Sequence, residues 1–169
     1  KKLKIGNGMD KDNLLGPLCN KQRLAGEEKL VETTKKEGGK VLLGGKRAAN
    51  FNKGYYYEPT IFDDVEDNFT VMKEEPFGPI VPILTFKDFD EVMKRANDND
   101  LGLCSYIYTT DLKKANKASE LIESGCVAVN TPVVAVAEAP FGGIKQTGYG
   151  REGGSMAIKD YLNIKYTHF

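Results

Sequence analysis

Residues 88–130 read DFDEVMKRANDNDLGLCSYIYTTDLKKANKASELIESGCVAVN, and this stretch decides the fold. Phe89, Val92, Met93 and Ala96 fall at i, i+3, i+4 and i+7, which predicts an amphipathic helix over 88–98. Leu112, Ala115, Ala118, Leu121 and Ile122 make the stripe of a second helix over 111–123. Between and after them, 103–108 and 126–130 are short apolar runs of strand character, and 80–86 is a similar run upstream. The order is strand, helix, strand, helix, strand. Apolar strands joined by helices of about three turns predict βαβ units. The expected class is therefore α/β, a largely parallel open sheet with flanking helices.

Working outward, residues 6–20 are rich in Gly, Asn, Asp and Pro and read as a loop. Residues 20–37 are polar, with apolar positions only at Leu24, Leu30 and Val31. They predict an exposed helix capped by Asn20 and stopped by Gly38-Gly39. A strand is expected at 40–43 and a loop at 44–54. Residues 55–62 form an extended run that Pro59 assigns to a sheet edge. Residues 63–73 read as irregular and 74–79, EEPFGP, as a rigid turn. Pro82 argues against full pairing of 80–86. Downstream, 131–155 is a long loop with glycines at 142, 143, 148, 150, 153 and 154, a length that usually signals function. A short helix is expected at 155–162. In 163–169, Ile164, Tyr166 and His168 alternate with Lys165 and Thr167, which suits a strand added to another sheet edge. The chain is thus read as 1–154, the main portion with its Gly-rich loop, and 155–169, a helix and oligomerisation strand for subunit association.

Composition narrows the function. Hydrophobic residues make up 40 % and charged residues 28 %, and 24 Lys plus Arg balance 24 Asp plus Glu. That balance supplies no drive toward nucleic acid or an anionic membrane. No apolar run approaches the roughly 20 residues that span a bilayer, and no signal peptide is visible. Cys19, Cys104 and Cys126 match no zinc spacing. Cys104 and Cys126, in apolar strand-like runs, read as reduced cysteines packed in a core, which suggests a reducing, cytoplasmic setting. One histidine, His168, rules out a multi-His metal site, so no metal is expected. The opening KKLKIGNG reads as the middle of a longer protein.

Three stretches could carry chemistry. In EEPFGP, the turn would hold the Glu75 carboxylate and the Phe77 ring in fixed relation, where they could meet a ribose and a nicotinamide. The plainer reading is a tight turn with solvated acids and a core Phe. In 138–154 the glycines suggest a phosphate loop, but no strand ends directly before them and no GK[ST] follows, so a P-loop is rejected. The first glycine pair suits a close backbone approach, and Phe141 could line a pocket. The plainer reading is a Gly-rich connection that docks one domain on another. Glu138, set in VVAVAEAPF, could have a raised pKa and act as a proton relay, or could be a loop acid facing solvent.

Several ordered motifs then converge. KEEPFGP at 73–79, RANDNDLGLCSYIYTTDLKKA at 95–115, SGCVAVN at 124–130, PFGGIKQTGYGREGG at 140–154 and DYLNIKY at 160–166 resemble the C-terminal part of the NAD(P)-dependent aldehyde dehydrogenase superfamily. GPLCNKQ at 16–22 and GYYYEPTI at 54–61 fit as well, so the resemblance covers nearly the whole chain. It implies that Glu75 binds the nicotinamide ribose and Phe77 helps hold the nicotinamide of NAD or NADP. It implies that Asn130 and the loop after it border the substrate entrance, with Ala135 and Phe141 in the substrate pocket and Glu138 a proton relay. The tail would pair with a neighbouring subunit in a homodimer or homotetramer.

The resemblance also implies what lies elsewhere. In this family a cysteine thiolate attacks the aldehyde, an asparagine and a backbone N–H hold the oxyanion, and a glutamate activates water. These groups and the main cofactor domain come earlier in the family's order, and none of the three cysteines falls in a matching nucleophile motif. This segment alone is therefore expected to hold no catalytic residue beyond Glu138, and to be inactive by itself. The tail is most similar to the succinate-semialdehyde dehydrogenase branch, although Ala135 and Val136 stand where some of those enzymes carry carboxylate-binding serines. Two other readings stay open: a non-catalytic interaction module or degenerate subunit, and a semialdehyde reductase running phosphorylating chemistry.

Overall fold

The computed structural model describes residues 3–169, which divide into two compact units, one ending at Thr85 and the other starting at Phe86. Among the described residues no helix is long and apolar enough to cross a membrane.

The first unit is built on helix α1, Lys21–Glu37. Asn20 caps it, its Oδ1 accepting from the Arg23 N–H at 2.8 Å. Gly38 ends it at φ 113°, where its N–H reaches the carbonyls of Lys35 and Thr34, the left-handed cap that glycine adopts without strain. The helix is not the exposed one its polarity suggested. Leu24, Leu30 and Val31 are buried, and Glu27 and Thr34 complete their stripe. A narrow apolar stripe suffices because large side chains meet it: Tyr57, Phe62 and Phe69 join the same core cluster with Val65, Val71 and Ile80.

Strand β1 (Lys40–Leu43) pairs antiparallel with β2 (Thr60–Asp63), and β2 pairs parallel with β3 (Ile80–Pro82). The short helix α2 (Thr70–Lys73) lies between the last two, where an irregular segment was expected. Its first turn is tied to the end of α1, because the Glu37 carboxylate accepts from the N–H and hydroxyl of Thr70. Strand β2 is central, not an edge. Pro59 immediately precedes it, so its missing N–H costs no ladder bond. Pro82 does pair, opposite Phe62 on the outer strand β3.

The second unit carries α3 (Phe89–Asn97), β4 (Leu101–Gly102), β5 (Cys104–Ile107), α4 (Leu112–Leu121), β6 (Cys126–Val129) and β7 (Ile144–Lys145). Asp88 caps α3 by accepting from the Glu91 N–H, and the Glu91 carboxylate accepts from the N–H of Lys87, the residue before the cap. Asp111 caps α4. Strands β5 and β6 pair parallel in full register around α4, which is the βαβ unit expected. Asn97 ties α3 to the end of α4, donating to the Leu121 carbonyl and accepting from the Glu123 N–H.

Two sequence expectations need correction. The strands form three small sheets, β1-β2-β3, β4-β7 and β5-β6, rather than one largely parallel open sheet. In the second unit helix α3 leads into β4, which pairs antiparallel with β7 out of the Gly-rich segment. The expected strand over 163–169 is absent: a 3₁₀ turn, Ala157–Tyr161, is followed by residues that pair with nothing described. An alternating sequence cannot form a strand without a second edge to donate to.

Candidate functional site

In the first unit the candidate site is the turn 74–79. Helix α2 ends at Glu74, whose extended backbone begins the turn, and the Pro79 carbonyl accepts from the Thr60 N–H at 2.7 Å at the head of β2. Both ends are therefore anchored to the core. Between them Glu75 is exposed, and Phe77 is 67 % exposed. A core phenylalanine would be buried, so the plainer sequence reading of Phe77 fails. A charged carboxylate and an uncovered ring two residues apart, on a turn held by two prolines, form a surface that can accept hydroxyls and pack an aromatic plane.

Helix α1 supports the turn from beneath. The Arg23 guanidinium lies 5.6 Å from the Phe77 ring centroid, within cation–π range. Glu27 is 1 % exposed and pairs with Arg23 at 3.5 Å. Its Oε2 is buried with no hydrogen-bond partner. Burial, the largest influence, pushes the Glu27 carboxyl above its ordinary value, and Arg23 opposes that rise. Gly78 makes room for this carboxyl: a Cβ there would lie 2.6 Å from Glu27 Cδ and 2.8 Å from Oε2. Sequence reading missed Glu27 and Arg23. The available signal was position, since Glu27 lies three residues after Leu24 and four before Val31, on the helix's only apolar stripe.

In the second unit the long loop is well tied. Phe141 and Glu152 exchange two backbone hydrogen bonds of 2.7 Å each. Arg151 Nη1 donates to the carbonyls of Gly143 and Gly150, and the Arg151 N–H donates to Asp160. Phe141 is half-buried and lines a cavity of ≈ 340 Å³ with Leu103, Thr147 and Tyr149. Gly125 lets β6 meet the loop, because a Cβ there would fall on the Gly142 carbonyl. The Cys126 thiol donates to that carbonyl at 3.6 Å.

Asn130, at φ 56°, ends β6. Its side chain accepts from the Thr109 N–H and donates to the Thr109 carbonyl, which fixes where the following loop departs. Along that loop Ala135 and Glu138 are both exposed. Glu138 therefore stands as a solvent-facing acid in this chain. Cys104 and Cys126 face each other in register on β5 and β6, both half-buried. Burial pushes the Cys104 thiol up, away from the thiolate a nucleophile needs. Cys19 is exposed on the loop before α1. The structure thus places Glu75 and Phe77 on one turn of the first unit, while in the second unit neither Asn130 nor Ala135 lines the cavity that Phe141 lines.

Known proteins resemble this chain along nearly its whole length. The chain is 44 % identical to a glutarate-semialdehyde dehydrogenase of Pseudomonas putida over 165 residues, covering 98 % of this chain and 34 % of that protein. It is 42 % identical to the succinate-semialdehyde dehydrogenase [NADP(+)] of Escherichia coli, with the same coverage of each. Among solved structures it superposes on a NAD+ complex of an aldehyde dehydrogenase from Bacillus cereus with a TM-score of 0.92 and 41 % identity, covering 96 % of this chain and 33 % of that one. The chain spans about a third of the length of these relatives. The family model described as "Aldehyde dehydrogenase family" matches residues 1–167, and the chain belongs to the aldehyde dehydrogenase family.

Proposed function

We propose that this chain is the C-terminal part of a longer enzyme that oxidises an aldehyde to a carboxylate with NAD+ or NADP+, and that the aldehyde is a semialdehyde. The observation that carries the reading is the turn 74–79, which presents Glu75 and Phe77 outward from a backbone anchored at both ends. The semialdehyde class rests on the names of the relatives that cover 98 % of this chain.

A bound nicotinamide cofactor would supply the hydride acceptor, and the residues of this chain would hold it in place. Glu75 would hold its ribose hydroxyls, since an ionised carboxylate accepts two such bonds. Phe77 would pack against the nicotinamide and keep water from it. Phe141 and Ala135 would wall the substrate pocket, with Asn130 setting the course of the loop. Glu138 would pass the proton released during deacylation to bulk water, a role that suits an exposed carboxylate. The nucleophilic cysteine, the oxyanion donors and the water-activating glutamate would come from the rest of the protein.

The outer strand pairings of the small sheets would be completed by the rest of the protein, which would restore a larger parallel sheet around β5 and β6. The segment 155–169 would serve association between subunits of a dimer or tetramer. Its apolar side chains are uncovered, with Tyr161 84 %, Ile164 102 % and Tyr166 83 % exposed. An extended run of that kind suits addition to a neighbour's sheet edge.

In the full-length protein, Glu75→Gln tests the reading. The expected result is a KM for the cofactor raised on the order of ten-fold, the loss of one charge-assisted hydrogen bond, with the thermal midpoint unchanged. Unchanged cofactor kinetics would remove Glu75 from the site.

A further inference from the structure

Glu27 does not fit the core that contains it. Its neighbours on α1, Leu24, Leu30 and Val31, are buried apolar side chains. One oxygen of its carboxyl pairs with Arg23 and the other has no partner. Tyr57, Gly78 and Glu28 supply no opposite charge there, and Glu28 is engaged with Arg47. A buried carboxylate with an unpaired oxygen destabilises a fold, and an ion pair to a half-exposed arginine offsets little of that. An apolar side chain of similar size would continue the stripe at no such cost.

What the carboxylate does accomplish lies at the turn. It fills the space left by the absent Cβ of Gly78. It also fixes the guanidinium of Arg23, which covers one face of the Phe77 ring. We propose that Glu27 and Arg23 are positioning residues of the cofactor site, holding the Phe77 ring, and with it the Glu75 carboxylate two residues earlier, in the orientation that receives the nicotinamide ribose. The proposal rests on the assignment of that turn to the cofactor. Neither residue needs to touch the cofactor, because each acts through the turn.

The test uses the full-length protein and two measurements, the equilibrium Kd for NADH and for NADPH by fluorescence titration, and the thermal midpoint. Glu27→Gln and Glu27→Leu should weaken binding of the preferred cofactor about three-fold, the worth of a single cation–π contact. They should leave the midpoint unchanged or raise it. Arg23→Met should weaken binding similarly, and Arg23→Lys should restore part of it. In a Phe77→Ala background, Arg23→Met should add nothing. If Glu27→Leu does not fold, Glu27→Gln decides.

A Phe77→Ala variant that binds cofactor normally overturns the cofactor assignment itself. If Phe77→Ala weakens binding while Glu27→Gln and Arg23→Met do not, the positioning role fails and the site stands. A lowered midpoint with unchanged Kd would make Glu27 a structural residue and also overturn the proposal.

Discussion

Helices α1 and α3 invert the usual relation between pattern and burial. Helix α3 has the cleaner amphipathic stripe, Phe89, Val92, Met93 and Ala96, yet none of its residues is buried. Helix α1 has few apolar residues, yet Leu24 is 3 % and Val31 1 % exposed. The same contrast holds for the units that contain them. The first has a core joining α1, α2 and all three of its strands. In the second, the buried apolar residues described are Ala115, Ala118 and Ala128, and the α3 stripe faces an open cavity of ≈ 480 Å³ with Tyr106 and Tyr108. A hydrophobic stripe states that a face is stable only when covered. It does not state that the cover lies in the same stretch of chain. The second unit therefore has the surface expected of a protein layer whose partner is elsewhere in a larger molecule.

The largest expected effect would break this comparison if it failed. Phe62, fully buried in the first unit, should cost about 3–5 kcal/mol when replaced by Ala. Ile107, half-buried on β5, should cost only about 1–2 kcal/mol as Ala in the isolated chain. In the full-length protein the Ile107→Ala cost should rise toward the core value. Urea unfolding of both forms measures this, and an equal cost in each would mean that nothing covers that sheet.

A second expectation concerns the tightest joint of the second unit. Gly125→Ala should cost about 1–3 kcal/mol, because the new methyl meets the Gly142 carbonyl, which is backbone and cannot swing aside. Hydrogen exchange at the Phe141 and Glu152 amides should accelerate as the loop is displaced. Unchanged protection would mean that the loop does not depend on this contact.

The smallest effect sharpens the account of the first unit. Burial holds the folded-state pKa of Glu27 above its ordinary value, which the unfolded chain keeps at about 4.5. Below 4.5 both states hold the proton and its contribution to stability is full. As pH rises through the raised folded value, the unfolded chain releases the proton first and that contribution is lost. The urea midpoint of wild type should therefore fall, relative to Glu27→Gln, as pH rises from about 4.5. Parallel midpoint curves for the two proteins would show that Glu27 is not perturbed by its burial.

The sequence by itself determined the three longer helices, 21–37, 89–97 and 112–121, and where they begin. The caps at Asn20, Asp88 and Asp111 and the stop at Gly38 are local chemistry: a side-chain oxygen within three residues of an orphan N–H, or a residue that tolerates positive φ. The ordered motifs also determined the family. They marked Glu75, Phe77 and Phe141 as residues of interest, since a rigid turn and a paired glycine have the same local geometry in any context.

Only the tertiary structure decided the pairing of strands, the burial of α1 and the exposure of α3. Each of these depends on which surfaces meet, and strands such as β4 and β7, two residues each, have no pattern of their own to read. Glu27 shows the reason most directly. In the sequence it is one of several acids on a polar helix. It becomes a buried carboxylate beneath Phe77 only because residues some fifty positions later fold over it and remove its water.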